Sequence, residues 1–508
     1  MPKRRDFLRI ASGVGLSACA ETVLAGLATA QTASSSTVHY IDPTAPGPGR
    51  GTLASPFRSW TDVSWTPGHT YLQKRGTTYS GALQVSASGT ASQRITIGAY
   101  ARSDGSDDGA KPKPVILLPA APATPADGAS IAVHGEERDF VTYRNLDIRN
   151  PALPEESDVA IIWLGNHCVF ENNKVTSNCA GVYILGKSHV TVSGCVLDVI
   201  SNGPGFGNQG ILAAANSSID DIRLLDNTIR HHGGGKPTSH GIRCESYNSA
   251  AFLTNIVIRG NRVSPPSGLE YCANRKAVGI YLIQCAAATV DRNTVNGMLT
   301  GIFINGGDRS HLGNNDCSNN MNFGIHITGL ARSYIIEDNT CNANGGDFGP
   351  NWYGRGIELV AAAGPDAVSG HTIRHNTCRF NRNYGGPLDN GSEGVGIGVD
   401  NGVSKCSVYN NLLSNNEGNG LQVYGGSDRA KWPDTGGHTI NSNKLDSNCS
   451  FSVLKRRSQG TAPSGFQAHI SLTHVYGSPT VVSRNTYSGS TRMKVYTNDT
   501  DENVTILP

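Results

Sequence analysis

The chain has 508 residues, a formal net charge of +2 and only 16% charged residues, so no global electrostatic case exists for nucleic acid or a membrane surface. Glycine is abundant, at 61 residues, without a collagen-like period; this excludes a collagenous chain and suits a turn-dense β protein better than a disordered one. Length alone allows roughly two to four domains, a prior that repeat architectures break.

The first segment stands apart from the fold. Lys3, Arg4 and Arg5 precede Asp6, Phe7, Leu8 and Arg9, and a weakly apolar stretch then runs to Ala28-Thr29-Ala30. This order of parts resembles a twin-arginine export signal, which implies that residues 1–30 are removed near Gln31 and that the protein is periplasmic or extracellular. Glu21 and several glycines interrupt the run, which argues against a membrane span. Leu16-Ser17-Ala18-Cys19 also looks like a lipoprotein cleavage box. Because the apolar stretch continues past Cys19, cleavage near Gln31 is favoured, and membrane attachment is expected only if Cys19 is lipidated.

From about residue 140 two short patterns alternate. One is Gly-apolar-x-apolar, at Gly181, Gly210, Gly241, Gly279, Gly301, Gly324, Gly356, Gly396 and Gly420. The other is apolar-x-x-Asn-x-apolar, centred on Asn173, Asn227, Asn261, Asn293, Asn315, Asn339, Asn376, Asn411 and Asn443. Short strands with inward residues at period two, broken at one place by Asn, describe a coil whose turns stack. Asn tolerates the left-handed backbone of a tight bend, and stacked amides can hydrogen-bond along the axis. Each repeat is too small to bury its own apolar face, so its neighbours must cover it.

These repeats are similar to those of the right-handed parallel β-helix superfamily of pectate-lyase-like proteins. The expected fold is all-β: a right-handed parallel β-helix of about 10–12 coils over residues 140–490, with a β-rich cap at 31–139 and an edge segment at 491–508. The cap resemblance rests on Ile41-Asp42-Pro43, Pro56-Phe57 and the run from Arg94 to Tyr100. The superfamily contains lyases, glycosidases, epimerases and non-enzymatic tailspikes, so the resemblance implies an architecture and leaves the reaction open.

Twelve cysteines in an exported chain suggest disulfides. The register says otherwise: Cys317, Cys341 and Cys378 take the inward position held elsewhere by Val263 and Leu413, and Cys244 also sits inward. They read as small core hydrophobes, with a disulfide involving Cys272 or Cys285 left open. No Cys/His spacing suits zinc.

Loop lengths then locate a groove. From Asn227 to Gly241 is 14 residues, from Asn261 to Gly279 18, from Asn339 to Gly356 17 and from Asn376 to Gly396 20, but from Asn293 to Gly301 only 8 and from Asn315 to Gly324 only 9. Long loops on both sides of two short ones raise walls around the outward face of the Gly301 and Gly324 strands. Period two makes Arg243, Glu245, Tyr281, Phe303, Asn305, His326, Glu358, Asp400 and Tyr424 outward. The walls add Lys236, His240, Glu270, Arg275 and Lys276 on one side, and Asp347, Trp352, Tyr353, Arg355, Asp389 and Glu393 on the other. Aromatic side chains can stack on sugar faces, although for any one of them local packing is an equal explanation. Residues 231–276 carry six Lys/Arg against two Glu, an excess that could hold an acidic polymer.

Three functions follow. The leading one is a lyase cleaving a uronate-containing polysaccharide by β-elimination: Arg243, Arg275 or Arg355 neutralises the carboxylate, His326 or Lys276 is the base, and Tyr353 or Tyr281 the acid. The second is an inverting glycoside hydrolase using Glu358 and Asp400, which lie on consecutive coils two residues out of register, with Cα atoms roughly 8 Å apart; Glu358 paired with Arg355 as a structural ion pair weighs nearly as heavily. The third is a glycan-binding β-helix without catalysis. No calcium-binding carboxylate cluster stands out, so no cofactor is firmly implied and Ca is the one ion kept in view. A monomer is expected.

Overall fold

The computed structural model describes residues 37–118, 133–135, 137–150, 160–177, 180–199, 209–232, 239–248, 251–272, 277–345, 352–361, 368–384, 394–449, 468–489, 491, 493–498, 501 and 503–508. The export signal and Cys19 lie outside these residues. The described chain winds into a three-faced coil. One face is a 17-stranded sheet, the second a 15-stranded sheet, and the third an 8-stranded and a 4-stranded segment. Single parallel bridges from Thr294 to Asp316, Thr340 and Thr377 connect the two parts of the third face. This is the parallel β-helix that the repeats predict.

Coiling starts earlier than residue 140. Val38–Ile41 pairs in parallel with Thr70–Lys74, which pairs with Ile95–Tyr100, which pairs with Val141–Arg144. At the other end Thr480–Ser483 pairs in parallel with Val504–Ile506. The segment expected to be a cap therefore contributes coils of its own. Ile95 and Ile97 are fully buried in them, but these coils lack the Asn bend by which the repeat is recognised.

The Asn bend works differently from the expectation. The left-handed residue is the one before each ladder asparagine: Asn172, Arg292, Asp338 and His375 have φ of 49°, 56°, 56° and 56°. The asparagine itself is kept for its amide. Nδ2 of Asn261 donates to Oδ1 of Asn293 at 3.0 Å, Asn293 to Asn315 at 2.9 Å, Asn315 to Asn339 at 2.9 Å and Asn339 to Asn376 at 3.0 Å. Each Oδ1 also accepts a backbone N–H, as from Asn339 to Asn376 at 3.0 Å. A buried amide left unpaired costs about 1–3 kcal/mol, so the row holds only if nearly every coil contributes a member. A second row, five residues on, joins Asn344, Asn381, Asn416 and Asn448 by amide bonds of 3.1, 2.9 and 2.8 Å.

The recurrent glycine has a spatial cause. At Gly324 an added Cβ would lie 2.6 Å from the Gly356 carbonyl oxygen and 2.9 Å from the Cys341 Cβ; at Gly301 the Gly324 oxygen and Cys317 Cβ would be 2.6 and 3.0 Å away. These are core atoms. The glycine thus turns its bare face inward beside the following isoleucine, and strict alternation is broken there. Cys317, Cys341 and Cys378 are fully buried in this core, and all ten described cysteines are free, Cys272 and Cys285 included. The cysteines are core side chains, and no disulfide involving Cys272 or Cys285 is formed.

Candidate functional site

The 15-stranded face carries the groove. Its register sets Tyr183, Leu212, Arg243, Tyr281, Phe303, His326, Glu358, Gly398 and Gln422 in one line across successive coils. A second line runs through Glu245, Ile283, Asn305 and Thr328, and further along through Val360, Asp400 and Tyr424. The two-residue offset of Glu358 and Asp400 is as the repeats predict, since Asp400 aligns with Val360.

A third line was missed. Because the glycine faces the core, the residue before it turns outward again, which places His240, Val278, Thr300, Phe323 and Arg355 in register. The sequence reading put His240 and Arg355 on the walls; both are strand residues of the floor. The Gly-Ile dipeptides carried this signal, because two consecutive core-facing residues reverse the alternation before them.

Rings cover the middle of the floor. Tyr281 meets Phe303 edge-on at 4.8 Å, Phe303 meets His326 at 4.8 Å, and Phe323 lies 4.5 Å from His326. His240 contacts Tyr281 at 4.9 Å, and the Arg243 guanidinium stands 5.7 Å from the Tyr281 ring centre. Burial, and secondarily the Arg355 charge, push the His326 imidazolium down to about 3. His326 is therefore a neutral ring in an aromatic row.

Beyond the rings stands a charged trio. Arg355 Nη1 donates to Glu358 Oε2 and, at 2.5 Å, to Asp400 Oδ2. The three residues are 7%, 4% and 5% exposed. Burial works against the Arg355 charge, but Asp400 and Glu358 outweigh it and hold the guanidinium above its ordinary value. Burial raises the Glu358 carboxyl well above the usual carboxylate range; Arg355 pulls it down and neighbouring Asp400 pushes it further up. Burial and Asp400 thus favour the neutral form of the Glu358 carboxyl, and Arg355 opposes them. Gln422 Nε2 donates to Asp400 Oδ1 at 3.3 Å. Gly398 makes room: a Cβ there would collide with the Glu358 carboxylate and lie 2.6 Å from Arg355 Nη1.

At the other end of the row, Arg243 and Glu245 form an ion pair within one strand. Burial raises the Glu245 carboxyl, with Arg243 opposing. Tyr424 contacts the His474 ring at 5.5 Å, and Glu270 is exposed. Trp352–Tyr353 pairs antiparallel with Asn383–Tyr384, and only this backbone pairing is described for them. Lys236, Arg275, Lys276, Asp347, Asp389 and Glu393 lie outside the described residues. Among the described residues no group of three or more His, Cys, Asp or Glu could hold a metal ion, and no helix is long and apolar enough to cross a membrane.

The family described as "Right handed beta helix region" matches residues 240–459. The fold is a right-handed parallel β-helix. No curated protein matches the chain. Among solved structures, the chain is similar to a GH136 lacto-N-biosidase from Eubacterium ramulus (14% identity, 91% of this chain and 68% of that one, TM-score 0.31). It is also similar to the A-module of a mannuronan C-5 epimerase from Azotobacter vinelandii (15%, 68% and 86%, 0.42) and to an alginate lyase from a Paenibacillus species (14%, 70% and 92%, 0.35). At these values the likeness carries no argument about substrate or reaction.

Proposed function

We propose that the protein is an exported, glycan-acting enzyme that cleaves a glycosidic bond by hydrolysis in this groove, with Glu358 and Asp400 as the working carboxyls. The observation that carries this reading is their convergence on one nitrogen of Arg355. Two oxygens bonded to the same nitrogen lie at most about 5–6 Å apart, which is nearer the roughly 5 Å of a retaining pair than the wider gap of an inverting one. The side chains close the roughly 8 Å offset between backbones, which supports a retaining arrangement over the inverting one. Glu358, favoured in its neutral form, is suited to protonate the leaving oxygen, and Asp400 to act as nucleophile. The ring row from Tyr281 to His326 offers stacking faces to sugars.

β-Elimination draws less support. Arg355 and Arg243 are already engaged by carboxylates, and His326 is too weakly basic to remove a C5 proton readily. A second reading, glycan binding without turnover, draws on the near-complete burial of the trio. The residues at positions 3–9 and 28–30 support export by the twin-arginine route.

The test is a panel of neutral and uronate-rich polysaccharides with two readouts. Hydrolysis gives new reducing ends without ultraviolet absorbance, whereas a lyase product absorbs through its conjugated double bond. Absorbance rising with cleavage would restore elimination. Binding without either signal would favour the non-catalytic reading.

A further inference from the structure

The early coils of the same sheet hold a cavity of about 610 Å³ whose lining includes Tyr183, Leu185, Leu212, Arg243 and Tyr247. Tyr247 is 54% exposed at its edge. Tyr183 lies on the floor, its ring centre 6.4 Å from that of Trp163 on the preceding coil. Arg243 enters from the other side, paired with Glu245, and its buried Nε has no hydrogen-bond partner among the described residues.

We infer that this cavity is a binding subsite for one unit of a neutral oligosaccharide, whose chain then runs along the ring row to the carboxyl pair. The inference rests on the groove reading above and names its substrate class. Two tyrosine faces and leucine side chains suit the apolar C–H face of a pyranose. Arg243 offers donors to the cavity, and Glu245, paired with it, offsets its charge, which matches neutral hydroxyls. A uronate carboxylate would gain Arg243 only by meeting Glu245, and like charges at that range repel. From Arg243 to Glu358 the register counts four coil steps, through Tyr281, Phe303 and His326. At ~4.8 Å per step this spans about 19 Å, the length of roughly four pyranose units. The site therefore reads chain length as well as charge.

The experiment is calorimetric titration of the Glu358→Gln protein, with Asp400→Asn as the alternative background should the first fail to fold. The probes are β-linked hexa- and disaccharides of glucose, xylose, galactose and mannose, beside hexagalacturonate and hexamannuronate. The expected result is that at least one neutral hexasaccharide binds tenfold or more tightly than its disaccharide. Tyr247→Ala or Arg243→Met then weakens the hexasaccharide about tenfold. Tighter binding of the oligouronates, equal binding of long and short chains, indifference to Tyr247→Ala, or no binding at all overturns it. Wild-type turnover separates the two ideas. Length-dependent binding without turnover keeps the subsite and removes the hydrolase; turnover indifferent to Tyr247 does the reverse.

Discussion

Two arginine–carboxylate clusters occupy one sheet, four coils apart, and differ in almost everything but composition. Arg243 and Glu245 come from a single strand and keep 19% and 11% of their side chains exposed, and Arg243 lines an open cavity. Arg355, Glu358 and Asp400 join two coils, keep 8%, 5% and 7% of their side chains exposed, and place two acids on one base. The same chemistry is therefore set up for different work. On the proposed function, an open, charge-balanced pair suits recognition of a ligand, whereas a buried trio with one acid in excess favours a neutral carboxyl.

Removing the excess acid should break the comparison most severely. Glu358→Gln and Asp400→Asn are each expected to lower turnover about 10²–10⁴-fold, the usual worth of positioned acid–base catalysis. Substrate binding should be retained, measured by titration of the same proteins. Arg355→Met strikes stability instead: two carboxyls are left buried without their cation, a loss of about 3–5 kcal/mol in urea unfolding. If Arg355→Met unfolds like wild type, the trio is not the buried cluster described here. Gly398→Ala should reproduce part of the activity loss, because its Cβ would displace the Glu358 carboxylate.

Next in size is the scaffold that holds both clusters at their spacing. Asn376 donates to Asn411 at 3.0 Å and to the Ile336 carbonyl at 2.9 Å. Asn376→Ala strands Asn339 and Asn411 together, for an expected cost of about 1–3 kcal/mol. Replacing exposed Asn410, one residue before a ladder member, should change stability by less than about 0.5 kcal/mol if its φ of 55° is preserved by glycine.

What the sequence disclosed follows from the same physics. Period two and the Asn spacing made the coil, its core and the outward line from Arg243 to Glu358 legible, since both patterns are local. Arg355 was placed on a wall because a core-facing glycine reverses the alternation, a reversal the Gly-Ile dipeptides signal but that strict period two overrides. The convergence of Glu358 and Asp400 depended on side-chain reach across a register offset, which backbone spacing alone put at 8 Å. The cavity by Tyr183 and Tyr247 was silent for a different reason: apart from Arg243 its residues are apolar or neutral, and no chemical motif marks a surface that works by shape.

The pH profile sharpens the contrast by one proton on each limb. Glu358 has a folded value above its unfolded one of ~4.3, so the folded state binds the extra proton. The stability it contributes is complete below that unfolded value and is lost as pH rises through the raised folded one. His326 runs oppositely: its folded value of about 3 lies below the unfolded 6.5, so its contribution is present above 6.5 and lost as pH falls. Buried His371 and His438, pushed down to about 3 and 4, share that acid limb. Glu358→Gln should therefore flatten the alkaline limb of urea-unfolding stability and leave the acid limb in place, while His326→Phe removes only part of the acid one.

The smallest effect belongs to the open cluster. Arg243→Met removes a partly solvated pair, whose net worth to folding is on the order of 0–1 kcal/mol. Its methionine retains much of the contact with the Tyr281 ring. Folding should be nearly unchanged and the alkaline limb unaltered, since Glu358 lies four coils away and keeps Arg355. A loss of several kcal/mol on Arg243→Met would mean that this pair, like the trio, is a structural element, and the cavity would lose the feature that sets it apart as a place for a ligand.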